Sequence, residues 1–258
     1  MISIGWQRKL FSTGMGFVLL VSLMLTACVP ENSSDTQSMT LKFEAVVGSQ
    51  ALAFNRIQYD NPGGEGQFKV RDFQFILSNI KLRSDTGIYL QPDSYHIVRF
   101  DNADTSFTLV LDNIPAGDYR EIDFSIGVDP DANSSRRSVG DLDPNSRMAW
   151  SWDVGYKFIL FEGGLNHHYV LSPLVYHVGF SENYRTLRFP LSNLTDNNKN
   201  SAKPLARLIF RVDLMSLFKG VNTIDMVALP SVKFDKGDAK LIAENFQGMI
   251  TLCQRGVC

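Results

Sequence analysis

The sequence has few of the residues that usually mark a reactive site. It contains three cysteines, four histidines and three tryptophans in 258 residues. The net charge is −2 and no basic patch stands out, which argues against a nucleic-acid partner. The glycines are scattered, so no phosphate loop is present, and Ser125 is flanked by strand-type residues rather than by a nucleophile elbow. The sequence therefore predicts a protein that is not an enzyme.

The main apolar run lies at the beginning of the chain. Arg8 and Lys9 precede an apolar stretch, residues 11–25, that is too short and too interrupted to predict a spanning helix. The sequence Leu25-Thr26-Ala27-Cys28 follows and fits a bacterial lipobox, in which Cys28 is lipidated and becomes the new N-terminus. An ordinary signal peptide with an incidental cysteine is the alternative.

Three segments with different roles follow from this pattern. Residues 1–27 are predicted to be a lipoprotein signal peptide, residues 28–39 a polar and flexible tether, and residues 40–258 one folded domain. Val29 replaces the aspartate that usually retains lipoproteins in the inner membrane. The sequence therefore predicts an exported lipoprotein that is held at the outer membrane rather than the inner membrane.

The folded part has the pattern of many short strands. Residues 41–45 alternate apolar and polar side chains, and turn sequences such as Asn61-Pro62-Gly63-Gly64 separate similar runs. Helical patterns are confined to residues 213–218 and 238–246, the second with Asp238 as its N-cap. The predicted fold is all-β, an antiparallel two-sheet β-sandwich with short C-terminal helical elements.

The densest aromatic stretch runs from Met148 to Gly163 and contains both Trp150 and Trp152. Residues i and i+2 of a strand face the same side, so Met148, Trp150 and Trp152 are expected to share one face. Burial in the core is one interpretation of this pair of large rings. The other interpretation is an aromatic cluster at a redox or metal site.

This stretch, together with its neighbours, resembles a family signature. The further segments that carry the resemblance are Tyr119–Asp129, Asn133, Gly140–Pro144 and Tyr176–Gly179. Their order and spacing are similar to those of the MbnP-like copper-binding proteins, a periplasmic and surface-exposed bacterial family. The resemblance covers approximately residues 40–248.

The resemblance implies a function as well as a fold. In that family a histidine binds copper, and a tryptophan is oxidised to kynurenine, which supplies a further ligand. A di-haem cytochrome c peroxidase-like protein of the MbnH type carries out the oxidation. Here Trp150 or Trp152 lies at the tryptophan motif and His177 at the downstream histidine motif. Trp150 ranks first because it follows a polar loop, nearer to a docking partner. The expected role is copper acquisition or handling, with a TonB-dependent transporter as a further partner.

The alternative function is a lipoprotein sandwich that binds a non-metal ligand or a protein, with the tryptophans in its core or on a stacking platform. Two more residues are candidate copper ligands: His96, in a strand similar to that of His177, and Met148, a soft thioether. His167 and His168 lie in a predicted hairpin turn, where adjacent side chains are expected to point apart.

Cysteine and oxygen ligands provide two further predictions. Cys253 and Cys258 are expected to form a disulfide in an oxidising compartment, while a Cu(I) thiolate site and pairing with a partner's cysteine are alternatives. The loop Asp129–Asn133, with Asp141 and Asp143, offers oxygens at alternating positions and resembles part of a calcium loop. Capping of turns by the same side chains is the alternative.

Overall fold

The structure is a computed structural model. It describes residues 36–135, 138–151, 154–191 and 207–253, and Cys258. The predicted signal peptide and the lipidation site Cys28 lie outside these ranges. Within them, none of the helices has the length and apolar character needed to cross a membrane.

Strands make up most of the described chain. In chain order they are β1 (Thr36–Val47), β2 (Gln50–Ala51), β3 (Tyr59–Asp60), β4 (Gln67–Ser84), β5 (Gly87–Leu90), β6 (Tyr95–Phe100), β7 (Ser106–Pro115), β8 (Tyr119–Ile126), β9 (Ala149–Ser151), β10 (Gly155–His167), β11 (Val170–Gly179), β12 (Arg185–Pro190), β13 (Leu208–Asp213), β14 (Ser231–Val232) and β15 (Ile250–Leu252).

The strands form two sheets. In the smaller sheet β1 pairs with β2, β7 and β13, and β15 pairs with β13. The larger sheet has the order β12-β8-β4-β10-β11-β14, with β3, β5 and β6 also paired to β4 and with β9 paired to β10. Among the named pairs, only β1–β13 and β11–β14 are parallel. The predicted all-β two-sheet sandwich is confirmed, with these two parallel pairs as additions to the antiparallel pattern.

The helices are short. They are α1 (Pro130–Ser134), α2 (Leu214–Phe218), α3 (Lys236–Ala243) and α4 (Phe246–Met249), with a 3₁₀ turn at Ser181–Asn183. The prediction that Asp238 caps the C-terminal helix is wrong. Asp235 is the N-cap, and its side-chain oxygen accepts a hydrogen bond from the backbone N–H of Asp238 at 2.8 Å. An aspartate in the first turn and an aspartate at the cap look alike in sequence because both favour the N-terminus of a helix.

The folded domain begins earlier than the sequence pattern indicated. Residues 36–39, assigned above to the tether, are already part of β1. Thr36 of β1 pairs with Pro115 of β7, and Met39 is completely buried. The polar composition of this segment hid the strand, because half of its side chains face solvent and its strand pairing is a tertiary contact.

The main core lies between the two sheets and is dominated by phenylalanine. Phe43 of β1 stacks on Phe210 of β13, with ring centroids 5.1 Å apart. From the larger sheet, Phe124 and Phe75 approach Phe43 edge-on, at 5.9 and 6.4 Å. Such edge-to-face pairs are a preferred aromatic arrangement and add to the free energy gained by burying apolar area.

A second, smaller core covers the outer face of the larger sheet. Its buried members are Ile76, Val128, Leu142, Met148, Tyr156, Phe158 and Leu160. The long connection between β8 and β9 supplies part of this layer, so it folds back over β4 and β10 instead of extending into solvent. This layer brings the start of the tryptophan-rich stretch onto the outer face of the sheet.

Candidate metal centre

His177 and Trp150 meet on the outer face of the larger sheet. Tyr176 and Val178 are completely buried in the core between the sheets. Because neighbouring strand residues alternate, His177 points to the opposite face, as strand alternation predicts when Tyr176 and Val178 point into the core. Its side chain is 15% exposed. The indole of Trp150 lies with its centroid 6.3 Å from that of the imidazole, at an interplanar angle of 77°.

Trp150 is enclosed by aromatic rings and a glycine. Phe234 stacks on the indole, with ring centroids 4.7 Å apart, and Phe180 lies at 5.6 Å. A Cβ added at Gly179 would lie 3.0 Å from Cζ3 of Trp150 and 2.6 Å from a backbone oxygen, so only glycine lets the indole approach β11 this closely. Phe234 is itself 62% exposed. The indole is therefore half-buried beneath a ring that faces solvent.

Phe180 holds a strained backbone beside this cluster. Its φ is +70°, a left-handed conformation that is rare for a bulky residue. Two buried amides fix the turn: Nδ2 of Asn183 donates to the backbone oxygen of Gly179 at 2.8 Å, and Nδ2 of Asn133 donates to Oγ of Ser181 at 3.1 Å. Strain of this kind persists where the surroundings over-determine it, and it clusters at functional sites.

Glu162 connects His177 to a charged network. Its Oε1 lies 3.3 Å from Nε2 of His177, and its Oε2 accepts a hydrogen bond from Arg71 at 2.7 Å. Arg147 contacts Glu162 at 3.3 Å and also pairs with Asp72. Burial raises the pKa of Glu162, but the hydrogen bonds from Arg71 and His177 and the charge of Arg147 outweigh it and hold the pKa below its usual value. Glu162 is therefore a carboxylate at neutral pH.

The state of the imidazole follows from these contacts. Burial, helped by the charge of Lys157, lowers the pKa of His177 against the opposing effect of Glu162, so the ring is neutral at neutral pH. A carboxylate only accepts hydrogen bonds, so the nitrogen that faces Glu162 is the one that carries the proton. This tautomer leaves Nδ1 of His177 with a free lone pair, the form in which histidine binds a metal.

The other predicted ligands are placed differently. Met148 is completely buried in the outer-face core, among apolar side chains. His96 lies on the same face of β6 as Val98, which belongs to the core between the sheets, and therefore on the face opposite His177. Its Nε2 is buried without a hydrogen-bond partner, and burial lowers its pKa. The structure thus does not bring His96 to the Trp150–His177 pair, and Trp152 lies outside the described residues.

The cysteines and the acidic loop behave as structural elements. Cys253 and Cys258 are joined by a disulfide. Asp129 caps α1, and its other oxygen accepts hydrogen bonds from Asn79 and Tyr95. An oxygen of Asp141 accepts a hydrogen bond from the backbone N–H of Ile97.

No three carboxylates of the predicted calcium loop converge in the part of the chain that the structure describes. Among the described residues, one group of three side chains could hold a metal ion, and it consists of Glu65, His167 and His168. The expectation that His167 and His168 point apart is therefore wrong. Their ring centroids are 3.9 Å apart, because His168 has a positive φ of +51° instead of an extended conformation.

Several residues around Trp150 were not identified from the sequence. The most informative of them is Glu162, the only charged residue between Phe158 and Gly164. A carboxylate inside an apolar strand is a signal that could have been used, since it must be paired when buried. Phe234 and Phe180 gave no such signal, because isolated phenylalanines are common in cores and on surfaces.

Comparison with known proteins adds to this geometry. The family model for MbnP matches residues 36–234, a range that includes Trp150, His177 and Phe234. The structure of MbnP from Methylosinus trichosporium matches with a TM-score of 0.53 and 16% sequence identity, covering 86% of this chain and 100% of that chain. At this level of identity the likeness shows the fold alone. A search of curated proteins gave no match.

Proposed function

The chain belongs to the MbnP family, and we propose that it is an exported lipoprotein that binds copper and serves in copper acquisition or handling. Membership supports a copper-related role at the level of the family. The observation that carries the proposal is the pairing of Trp150 with the mostly buried His177, whose ring centroids lie 6.3 Å apart. The protein itself acts as a carrier and not as an enzyme.

The side chains present fit copper only in part. Imidazole is a good copper ligand, but an unmodified indole offers only an N–H donor and no lone pair for a metal. Oxidation of Trp150 to kynurenine opens the indole and creates an aromatic amine beside His177. We therefore propose His177 and the oxidised Trp150 as the pair that would hold copper. Glu162 would orient the imidazole by accepting a hydrogen bond from Nε2, as carboxylates often do for metal-binding histidines.

The oxidation needs an external oxidant, which we propose to be a di-haem peroxidase of the MbnH type. Two peroxide molecules convert the indole to N-formylkynurenine with release of two waters, and hydrolysis then releases formate. The exposed ring of Phe234, stacked on Trp150, offers such a partner a place to dock near the indole. Electrons can leave the indole through packed groups without direct contact with the haem, since the cofactor supplies the difficult chemistry.

The cellular setting remains that predicted from the sequence. We propose that Cys28 carries the lipid anchor, that the polar tether separates the sandwich from the membrane, and that the outer membrane is the site of attachment. Delivery of copper to a TonB-dependent transporter would follow from this location.

The decisive experiment is co-expression with a di-haem peroxidase of the MbnH type. Oxidation of one tryptophan to kynurenine by a haem enzyme adds one oxygen and removes one carbon, a gain of about 4 Da in the peptide that contains Trp150 and Trp152. We expect this gain, and we expect copper to stay with the protein after desalting. Trp150→Phe and His177→Gln should each remove the additional copper that is gained on oxidation.

The matched control is Trp152→Phe, which should keep both the mass gain and the copper. Unmodified masses at both tryptophans, together with no more copper retained by the co-expressed protein than by the protein expressed alone, would exclude the proposed site. A mass gain confined to Trp152 would move the site to that residue.

The alternative is a binding sandwich without metal. The observation that favours it is the stacked pair of Trp150 and Phe234, whose outer ring is 62% exposed and could stack on a sugar or an aromatic side chain. This alternative predicts that Phe234→Ala weakens ligand binding while co-expression with the peroxidase adds no copper to the protein.

A further inference from the structure

We propose that the turn between β10 and β11, together with Glu65, forms a second metal site, one that binds Cu(II) through His167, His168 and Glu65. One ligand atom from each of the three side chains lies within 4.8 Å of the other two. Oε2 of Glu65 is 3.8 Å from Nε2 of His167 and 3.9 Å from Nε2 of His168. This site goes beyond the function proposed above and needs no oxidised tryptophan.

The separations fit a single ion without large movement. A point equidistant from three atoms at these separations lies about 2.5 Å or less from each, and metal bonds to imidazole and carboxylate are about 2.0–2.2 Å long. A shift of a few tenths of an ångström in each of the three side chains would therefore complete the coordination. Two imidazoles and one carboxylate leave the remaining positions open to water.

The turn itself brings the two imidazoles together. β10 ends at His167 and β11 begins at Val170, so His168 and Tyr169 form a two-residue turn with φ values of +51° and +66°. This is the pattern of a type I′ turn, which favours asparagine and glycine and is strained for histidine and tyrosine. The left-handed conformation turns His168 towards His167, with ring centroids 3.9 Å apart.

Glu65 is presented by a loop that is fixed to the rest of the domain. Asn61 is 5% exposed, and its Nδ2 donates to the backbone oxygen of Glu65 at 3.0 Å and to Oδ1 of Asp225 at 2.9 Å. Its Oδ1 in turn accepts from the backbone N–H of Met226 at 3.0 Å. A Cβ added at Gly66 would lie 2.7 Å from the backbone oxygen of Asn166, so the loop touches the hairpin directly. The carboxylate is therefore positioned by buried contacts, although it is itself exposed.

The ligand types decide which ion this site prefers. Imidazole and carboxylate suit borderline divalent metals, and the affinity of such a site rises along the first-row series to a maximum at Cu(II). The site is also separate from the Trp150–His177 pair: His177 lies seven residues after Val170 on β11, which corresponds to about 23 Å along a strand. Binding at one site can therefore be measured without disturbing the other.

The test uses the full chain, expressed without the peroxidase so that its tryptophans stay unmodified. Titration with copper(II) sulfate, followed by calorimetry and by electron paramagnetic resonance, should show one tight Cu(II) with nitrogen ligands. We expect Zn(II) to bind at the same place but more weakly. Loss of a ligand should weaken Cu(II) binding by at least about tenfold, in line with the sensitivity of metal sites to their supporting groups.

The variants separate ligation from folding. His168→Asn removes a ligand but keeps a residue that tolerates the left-handed conformation, and Glu65→Gln changes a side chain that is 80% exposed. Both should fold normally and weaken Cu(II) binding, and the double variant His167→Gln/His168→Asn should abolish the nitrogen signature. Tyr169→Ala is the matched control on the same turn and should bind like the wild type.

The unmodified chain distinguishes this site from the first proposal, because the Trp150–His177 pair needs oxidation of Trp150 before it can hold copper. Unchanged stoichiometry and affinity in both His168→Asn and Glu65→Gln would overturn the hairpin site, whatever the outcome at Trp150.

Discussion

The Trp150–His177 pair and the Glu65–His167–His168 cluster differ in almost every physical respect. The first is enclosed: His177 is 15% exposed and Phe234 covers Trp150. The second is open, since the side chains of His168 and Glu65 are 74% and 80% exposed. The enclosed pair has its orientation fixed but only one usable ligand, whereas the open cluster already has three ligands at nearly the right separation.

The two proposed sites predict two kinds of metal handling on one sandwich. An exposed site with open water positions can exchange its ion readily, because water and competing ligands reach it directly. A half-buried site excludes water and holds its ligands in place, so it can retain an ion once its ligand set is complete. In this family member the enclosed pair would need oxidation to complete that set, while the hairpin would need none.

The largest expected effect on the difference between the two sites comes from placing a larger side chain at Gly179, beside Trp150. In Gly179→Val the new Cβ would collide with the backbone oxygen of Tyr156 and with the indole of Trp150. We expect the free energy of unfolding to fall by about 1–3 kcal/mol, the usual cost of overpacking, and Trp150 to move away from His177. Urea unfolding gives the first quantity, and tryptophan fluorescence of the folded protein gives the second.

Gly87→Val is the matched control, because nothing lies within 4 Å of a Cβ added at Gly87. It should have nearly the stability of the wild type. Cu(II) binding at the hairpin should survive in Gly179→Val, and loss of binding there would mean that the two regions are coupled.

A smaller effect concerns acid stability of the metal-free protein. Folding lowers the pKa of His177 below its ordinary value of 6.5, so between these two pKa values the unfolded chain binds more protons than the folded one. The free energy of unfolding should therefore fall as the pH decreases from above 6.5 towards the lowered pKa, and part of this loss should disappear in His177→Gln.

Urea unfolding between pH 8 and about pH 5 gives this slope. Tyr169→Ala, which changes the exposed hairpin instead, should keep the slope of the wild type. An equal slope in His177→Gln and the wild type would contradict the assignment of a buried, neutral imidazole at this position.

The smallest expected effect is at the hairpin turn. Tyr169 has a φ of +66° and its side chain is fully exposed, so glycine would relieve strain without loss of packing. Tyr169→Gly should raise the free energy of unfolding by about 0.5–1 kcal/mol, less than the full cost of a left-handed residue because glycine also loses more entropy on folding.

Thermal unfolding of Tyr169→Gly and Tyr169→Ala side by side separates the two contributions. The alanine variant keeps a Cβ in the strained conformation and should gain nothing. A gain of equal size in both variants would show that the tyrosine side chain, and not the backbone, is the source of the strain.

Much of the fold and part of the site could be predicted from the sequence alone. Strand alternation predicted the sandwich, and the same rule placed His177 on the face opposite Tyr176, because a period of two fixes which side chains share a face. The aromatic string around Trp150 gave the family, and the matched range confirms it.

The remaining features depend on contacts between distant segments. Glu162 approaches His177 only because β10 and β11 pair in one register, with Leu160 opposite His177. Phe234 reaches Trp150 from a part of the chain that lies more than eighty residues away in sequence. Neither the local pattern nor composition specifies such a register, since it follows from how the whole sheet assembles.

The sequence by itself determined the predominance of strands, the two-sheet fold class and the placement of His177 on the face opposite Tyr176, because these follow from local periodicity and from the size and polarity of side chains. It did not predict the short helix α1, which lies at Pro130–Ser134. The tertiary structure alone decided that His96 lies on the wrong face, that Glu162 holds His177, and that a loop carrying Glu65 meets a strained turn. The physical reason is that ligand atoms bind one ion only when they lie at suitable distances from one another. For residues that are remote in sequence, strand register and loop packing fix these distances, and the order of residues along the chain does not.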